Sequence, residues 1–406
     1  MTRNTTITAP LALAAAVLAA PAPAQEPAEL RIGYLHPEER MLTLSLVDRP
    51  TEDRGLAGAE LAVADNNTTG QFTGQSYALE AEAVGDEAAA LAALERFDAA
   101  EVEWVVADLP AETLLAVADA AAERGMLVFN VGAPDDALRE EECRANVVHV
   151  APSRAMLADA LGQYLVWKRW PRWFLMVGSH PEDQAFAEAV RRAAERFGGE
   201  IVEERVVEDR GGARTTDSGH VQVQRQLPVL TQDAPEHDVL VVADENEVFG
   251  AYLPYHTWDP RPVAGTAGLV PTAWSPAHEQ WGGIQLQNRF LEAAGRRMEE
   301  EDMLAWMAVR AVGEAATRAG SAEPEVVDAY LLGPEFELAA FKGEALSLRG
   351  WNRQMRQPIL LATENAVVSV SPQEGFLHPT SFLDTLGYDE PESGCDLSVT
   401  RPEDDS

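Results

Sequence analysis

From residue 30 onward, short and densely apolar runs alternate with longer segments whose apolar residues recur at i, i+3 and i+4. This alternation restricts the fold more than any other feature of the chain. Runs at 30–35, 77–84, 104–107 and 126–131 read as strands, and segments 56–66, 87–97 and 110–124 between them read as helices. Strand and helix in strict turn build a mostly parallel, doubly wound α/β sheet with helices on both faces. The pattern then starts again with a helix at 153–167, a strand at 173–178, a helix at 182–197 and strands at 200–207 and 238–243. Two α/β units of about 120 residues therefore follow one another. Helical patterns return at 279–294, 300–319 and 324–332, while the Gly-rich stretch 211–219 reads as a surface loop. We expect one lobe from 25–150 and 273–356 and a second from 151–272 and 357–372. Residues 373–406 carry nine acids and one Arg with little periodicity, and read as an extended acidic tail.

Hydrophobic residues make up 46% of the 406, enough to bury two cores, so the high charge does not signal disorder. That charge is −36, from 67 acidic and 31 basic side chains, and such a surface repels nucleic-acid phosphate. Only Lys168 and Lys342 are lysines, a balance that fits a salt-rich habitat. At the N-terminus, Arg3, an apolar stretch at 11–20 and the small residues Ala22-Pro23-Ala24 form an export signal, with cleavage expected near Ala24 and a mature start at Gln25. The mature protein is therefore expected in the periplasm. Two cysteines, Cys143 and Cys395, read in such a compartment as one disulfide holding the tail, or else as two buried thiols.

Catalytic signatures are missing: there is no G-x-S-x-G, H-E-x-x-H, Walker loop or dinucleotide-binding glycine motif. The eight His residues are scattered without metal-ligand spacing. No enzyme, no metal and no required cofactor is expected. What the architecture offers instead is a cleft, since small molecules sit beyond the carboxyl ends of parallel strands. The turns that would line it contain Tyr34, Asp108, Asn130, Gly132, Ala133, Arg154, His180 and Glu245. Two lobes joined near Pro152, Val270 and Gln357 can close on a ligand by hinge motion.

The run Ala151-Pro152-Ser153-Arg154 opening a helix, Phe197-Gly198-Gly199 closing the next, Arg318-Ala319-Gly320-Ser321, and Phe341-Lys342-Gly343 with Leu346-Ser347-Leu348 resemble the type I periplasmic solute-binding proteins of the branched-chain amino acid ABC-transporter class. Narrower motifs, Ala64 to Gly70, Asn130 to Asp136, Tyr164 to Trp170 and Leu269 to Trp274, are similar to a subgroup associated with pyrroloquinoline-quinone-dependent alcohol dehydrogenase systems. The resemblance implies a two-lobed fold that hands a ligand to an ABC-transporter permease. It also implies pyrroloquinoline quinone or a related compound as ligand, with a quinoprotein dehydrogenase as a further partner. Accessory service to that dehydrogenase and amino-acid binding are the alternatives. For a flat tricarboxylate, Trp274 and Trp281 offer stacking faces and Arg154 and Lys342 offer cations. The basic-aromatic run 167–173 falls about 20 Å along its helix from the cleft, and is assigned to the far side of the second lobe as structure or a docking surface.

Overall fold

Burial explains where the sheets form. In β1 (Ala28–Pro37) Leu30, Ile32, Tyr34 and Leu35 are fully enclosed, and the strand pairs in parallel with a neighbour on each side. The computed structural model, which describes residues 27–38, 51–209 and 223–398, places α1 (Leu56–Thr73), β2 (Gln75–Val84), α2 (Glu87–Ala99), β3 (Trp104–Ala107), α3 (Ala111–Ala122), β4 (Leu127–Asn130) and β5 (Val147–His149) in lobe 1. Their sheet runs β2-β1-β3-β4-β5, and every pairing in it is parallel. Three-residue β5 escaped the sequence reading because it is too short to show a period.

Lobe 2 follows with α4 (Arg154–Trp167), β6 (Arg172–Gly178), α5 (Pro181–Phe197), β7 (Glu200–Val207), α6 (Val223–Leu230), β8 (Val239–Ala243), α7 (Leu253–His256), β9 (Val263–Gly265) and β10 (Val270–Thr272). Its parallel sheet has the order β7-β6-β8-β9. The chain then re-enters lobe 1 with α8 (Gly283–Ala294), α9 (Glu300–Ala319) and α10 (Pro324–Leu331), followed by the short strands β11 (Leu338–Ala339), β12 (Ala345–Leu348) and β13 (Met355–Arg356). It finally crosses to lobe 2, where β14 (Ile359–Thr363) and β15 (Ala366–Ser371) form a small antiparallel sheet with β10. The two-lobed, doubly wound architecture expected from the alternation is the one observed. One core gathers residues from Leu30 to Ala151 and from Ala273 to Met355, and another gathers Met156 to Leu269 with Ile359 and Leu361.

Three local departures from the sequence reading have physical causes. Helix α1 continues past 66 to Thr73, because Asn66 donates to the Val309 carbonyl and Asn67 pairs with both backbone groups of Tyr77, so these polar residues extend the helix rather than end it. Gly58 lets α1 lie directly on the Asp302 backbone of α9, a contact that any Cβ would prevent. Helix α8 starts at Gly283 rather than at 279, since Trp281 (φ 49°) and Gly282 (φ 88°) take left-handed backbone that breaks the helix. The third departure concerns the tail. Residues 373–398 are largely irregular, yet Leu383, Asp384, Thr385 and Leu386 are buried and the segment packs against both lobes. The disulfide Cys143–Cys395 is present, with Cα atoms 5.7 Å apart. The loop at 211–219 and the export signal lie outside the described residues.

Candidate functional site

The strand ends of the two lobes meet at an ionic knot. Ser153 caps α4 by accepting from the Met156 N–H, which sets Arg154 at the first turn of the helix. A cation there opposes the helix dipole and needs carboxylates nearby. The fold supplies two. Asp135, from the turn after β4, accepts from Nη1 at 2.8 Å, and Glu245, from the turn after β8, accepts from Nη2 at 2.8 Å and from Nε at 3.0 Å. Arg154 thereby ties lobe 1 to lobe 2, and its guanidinium is occupied within the protein. Burial pushes the Glu245 carboxyl above its ordinary range, and Arg154 partly offsets the effect.

Other residues expected at the cleft also hold the structure together. Asn130 is fully buried and folds its own turn, accepting from the Ala133 N–H at 2.9 Å and donating to the Ala133 carbonyl at 2.8 Å. Gly132 is exposed, and an added Cβ would sit 2.7 Å from Asp108 Oδ1, so the turns after β3 and β4 abut. Tyr34 is buried with its hydroxyl against Gly55. His180 precedes α5 and lies 3.0 Å from Asp209 through Nε2.

The stacking and cationic roles expected of Trp274 and Lys342 conflict with their surroundings. Trp274 is 1% exposed inside the lobe 1 core, edge-on to His278, and offers no free face. Trp281 is half exposed and covers Gly343 in the turn between β11 and β12. Lys342 is buried, donating to Gln357 Oε1 at 2.5 Å and to the Pro358 carbonyl at 3.3 Å. Burial pushes its ammonium down to about 7, against the opposing pull of Glu300.

A cavity of about 910 Å³ opens between the lobes instead. Lobe 1 contributes Arg54 and Glu299. Lobe 2 contributes Asp244, Glu247, Tyr255, Arg261, Thr266 and the β14–β15 turn with Glu364 and Asn365, among others. None of the residues chosen from sequence is among its lining residues. Asp244, beside the chosen Glu245, shapes the wall: its carboxylate accepts from the N–H groups of Val248, Phe249 and Gly250 at 2.9, 2.7 and 2.6 Å. Arg54 pairs with Glu299 and with Glu301, the latter at 3.2 Å. Burial pushes the Glu301 carboxyl up to about 7, with Arg54 opposing that shift. Sequence gave one signal for this side of the cavity: four acids in succession, from Glu299 to Asp302, at the start of a long helix.

Two α/β lobes joined by three segments thus enclose an inter-lobe cavity. Residues 42–216 match the family described as periplasmic binding protein. Among solved structures, the chain is similar to a branched-chain amino acid ABC-transporter periplasmic ligand-binding protein from Burkholderia xenovorans, with 17% identity, 91% of this chain and 99% of that one covered, and a TM-score of 0.70. It is also similar to a periplasmic binding protein from Burkholderia mallei, with 16% identity, 91% and 99% coverage and a TM-score of 0.65. A third likeness is to an ABC-transporter solute-binding protein from R. palustris solved with benzoate, at 13% identity, 91% and 100% coverage and a TM-score of 0.65. No protein of curated function matches the sequence.

Proposed function

We propose that this protein is the periplasmic solute-binding component of an ABC transport system, and that it captures a small zwitterion of the amino-acid class between its lobes and delivers it to the permease. The observation that carries this reading is the charge of the cavity wall. Four carboxylates (Asp244, Glu247, Glu299, Glu364) stand with two guanidiniums (Arg54, Arg261), so both signs are present and acid is in excess. Arg54 is held by Glu299 and Glu301 and Asp244 by three backbone N–H groups, so a ligand with one ammonium and one carboxylate finds Glu247 and Glu364 for the first and Arg261 for the second. The solved relative from Burkholderia xenovorans, named for branched-chain amino acid transport, supports the same class.

Pyrroloquinoline quinone, and with it a quinoprotein dehydrogenase as partner, is the competing reading from the narrower motifs. A tricarboxylate calls for an excess of free cations. Arg154 is held by Asp135 and Glu245, and Lys342 is enclosed in the hinge. Calorimetric titration of ligand-stripped protein with neutral, basic and acidic amino acids, benzoate and the quinone separates the two. Binding of at least one amino acid at 1:1 stoichiometry, with the quinone inert, is expected. Binding of the quinone with no amino acid bound overturns the proposal.

A further inference from the structure

The C-terminal segment crosses between the lobes a fourth time, after the three segments that form the hinge. It leaves β15 on lobe 2, where the Gln373 N–H donates to Gln163 at 3.0 Å, Phe376 meets Phe197 edge-on, and Leu386 joins the lobe 2 core. At Gly387 it touches both lobes. The N–H donates to Asp159 of α4 at 2.8 Å, and the carbonyl accepts from Arg192 and Arg196 of α5. From lobe 1, Arg349 in the turn after β12 donates to the Leu386 carbonyl at 2.6 Å and the Tyr388 carbonyl at 3.2 Å, while Arg349 and Arg356 share Asp384. Gly387 has φ +79°, and a Cβ there would lie 2.8 Å from Met156 of lobe 2 and 3.6 Å from the Arg349 guanidinium of lobe 1. Only a bare backbone fits between them. Beyond Gly387 the tail still contacts lobe 2, with Tyr388 under the Arg192 guanidinium and Glu392 facing Arg192 and Arg196, before it reaches lobe 1, where the Gly394 N–H donates to Glu140 at 2.5 Å and Cys395 is bonded to Cys143.

We propose that residues 373–398 form a disulfide-closed strap that limits how far the two lobes swing apart. The hinge segments near Val150, Thr272 and Gln357 permit a rotation that the Arg154 ion pairs with Asp135 and Glu245 also oppose. The strap is attached at both ends, by core packing on lobe 2 and by a covalent bond on lobe 1. Separating the lobes must therefore stretch this short stretch of chain or pull Arg349 from the carbonyls of Leu386 and Tyr388. In the resting protein the cavity is thus kept near its closing geometry, which reduces the reorganisation a ligand must drive.

The test compares the oxidised full chain, the same chain treated with a dithiol, and the Cys143→Ser/Cys395→Ser double variant, all without ligand. Small-angle scattering reports shape, amide exchange reports the strap, and circular dichroism reports the fold. Cutting the disulfide should shift the radius of gyration to larger values and speed exchange at Gly387 and Gly394 by about tenfold or more, with reoxidation reversing both. Superimposable scattering profiles overturn the proposal even if exchange speeds up, because that pattern belongs to a staple acting only on the tail. Loss of the native circular dichroism on reduction overturns it too, since the bond would then hold the fold rather than restrain a motion.

Discussion

Replacing Arg154 by Met tests the ionic knot between the lobes, because it removes the cation while keeping most of the buried volume. The Arg154 side chain is only 5% exposed, whereas Glu245 retains 23% and Asp135 37% exposure. Removing one partner of a buried pair typically costs about 3–5 kcal/mol, since the charge left behind is uncompensated. Partial hydration of both carboxylates puts the expected loss at the lower end, about 3 kcal/mol at pH 8. Burial already raises the Glu245 carboxyl, and without Arg154 it rises further. A carboxyl raised in the folded state keeps its proton to a higher pH than in the unfolded chain, so the folded state gains protons relative to the unfolded one as pH falls. The penalty should therefore shrink from pH 8 to pH 5. Adding Glu245→Gln should restore much of the stability at pH 8, as the stranded charge disappears. Urea denaturation of the parent, the single and the double variants at both pH values measures this directly. A loss below about 1 kcal/mol at pH 8, or a double variant no more stable than the single one, refutes the account of Arg154 as an inter-lobe tie.

Lys342→Met should flatten the pH dependence of unfolding between about 7 and 10. With its folded pKa near 7, below the ordinary lysine value of 10.5, the unfolded state binds more protons in that window, so the parent gains stability as pH rises there. An unchanged slope would contradict the burial argument. Glu301→Gln should stabilise the protein at pH 8 and change little near pH 4, because the parent carboxyl, held at about 7, favours folding only while it keeps its proton; denaturant midpoints at the two pH values decide it. Gly387→Ala should cost about 1–3 kcal/mol through left-handed backbone strain and the approach to Met156. A neutral result in thermal unfolding would show that the strap yields easily at this point.

The sheets and most helices were legible because each apolar run answers to a local rule. The four-residue strand at 104–107 is entirely buried, and it reads as an unbroken apolar run in the sequence. What local patterns do not carry is who meets whom across the hinge. Trp274 follows a strand end and so looked like a rim residue, but the chain turns inward there and its ring joins the lobe 1 core. The tail looked unstructured because its anchors, Leu383 and Leu386, are two apolar residues without a period, and their partners lie far away in sequence.

The carboxylates that occupy Arg154, a residue expected to serve as a ligand cation, follow from composition. With 67 acids against 31 bases, carboxylates are abundant near many of the guanidiniums that the chain buries, although Arg139 is held by Gln354 and three backbone carbonyls instead. A buried cation also requires a partner, because desolvation without one is costly. Arg296 is held by Asp53 and Asp302, Arg192 and Arg196 by Asp159, Arg349 and Arg356 by Asp384, and Arg154 by Asp135 and Glu245. Each of these guanidiniums serves as an internal counterion. An anionic ligand would have to displace carboxylates that the fold holds in place at no loss of translational freedom, whereas a ligand ammonium meets carboxylates in excess at the cavity wall. The same surplus of acid that made single carboxylates uninformative in the sequence is, once the fold gathers it around one cavity, what the proposal of an ammonium-bearing solute rests on.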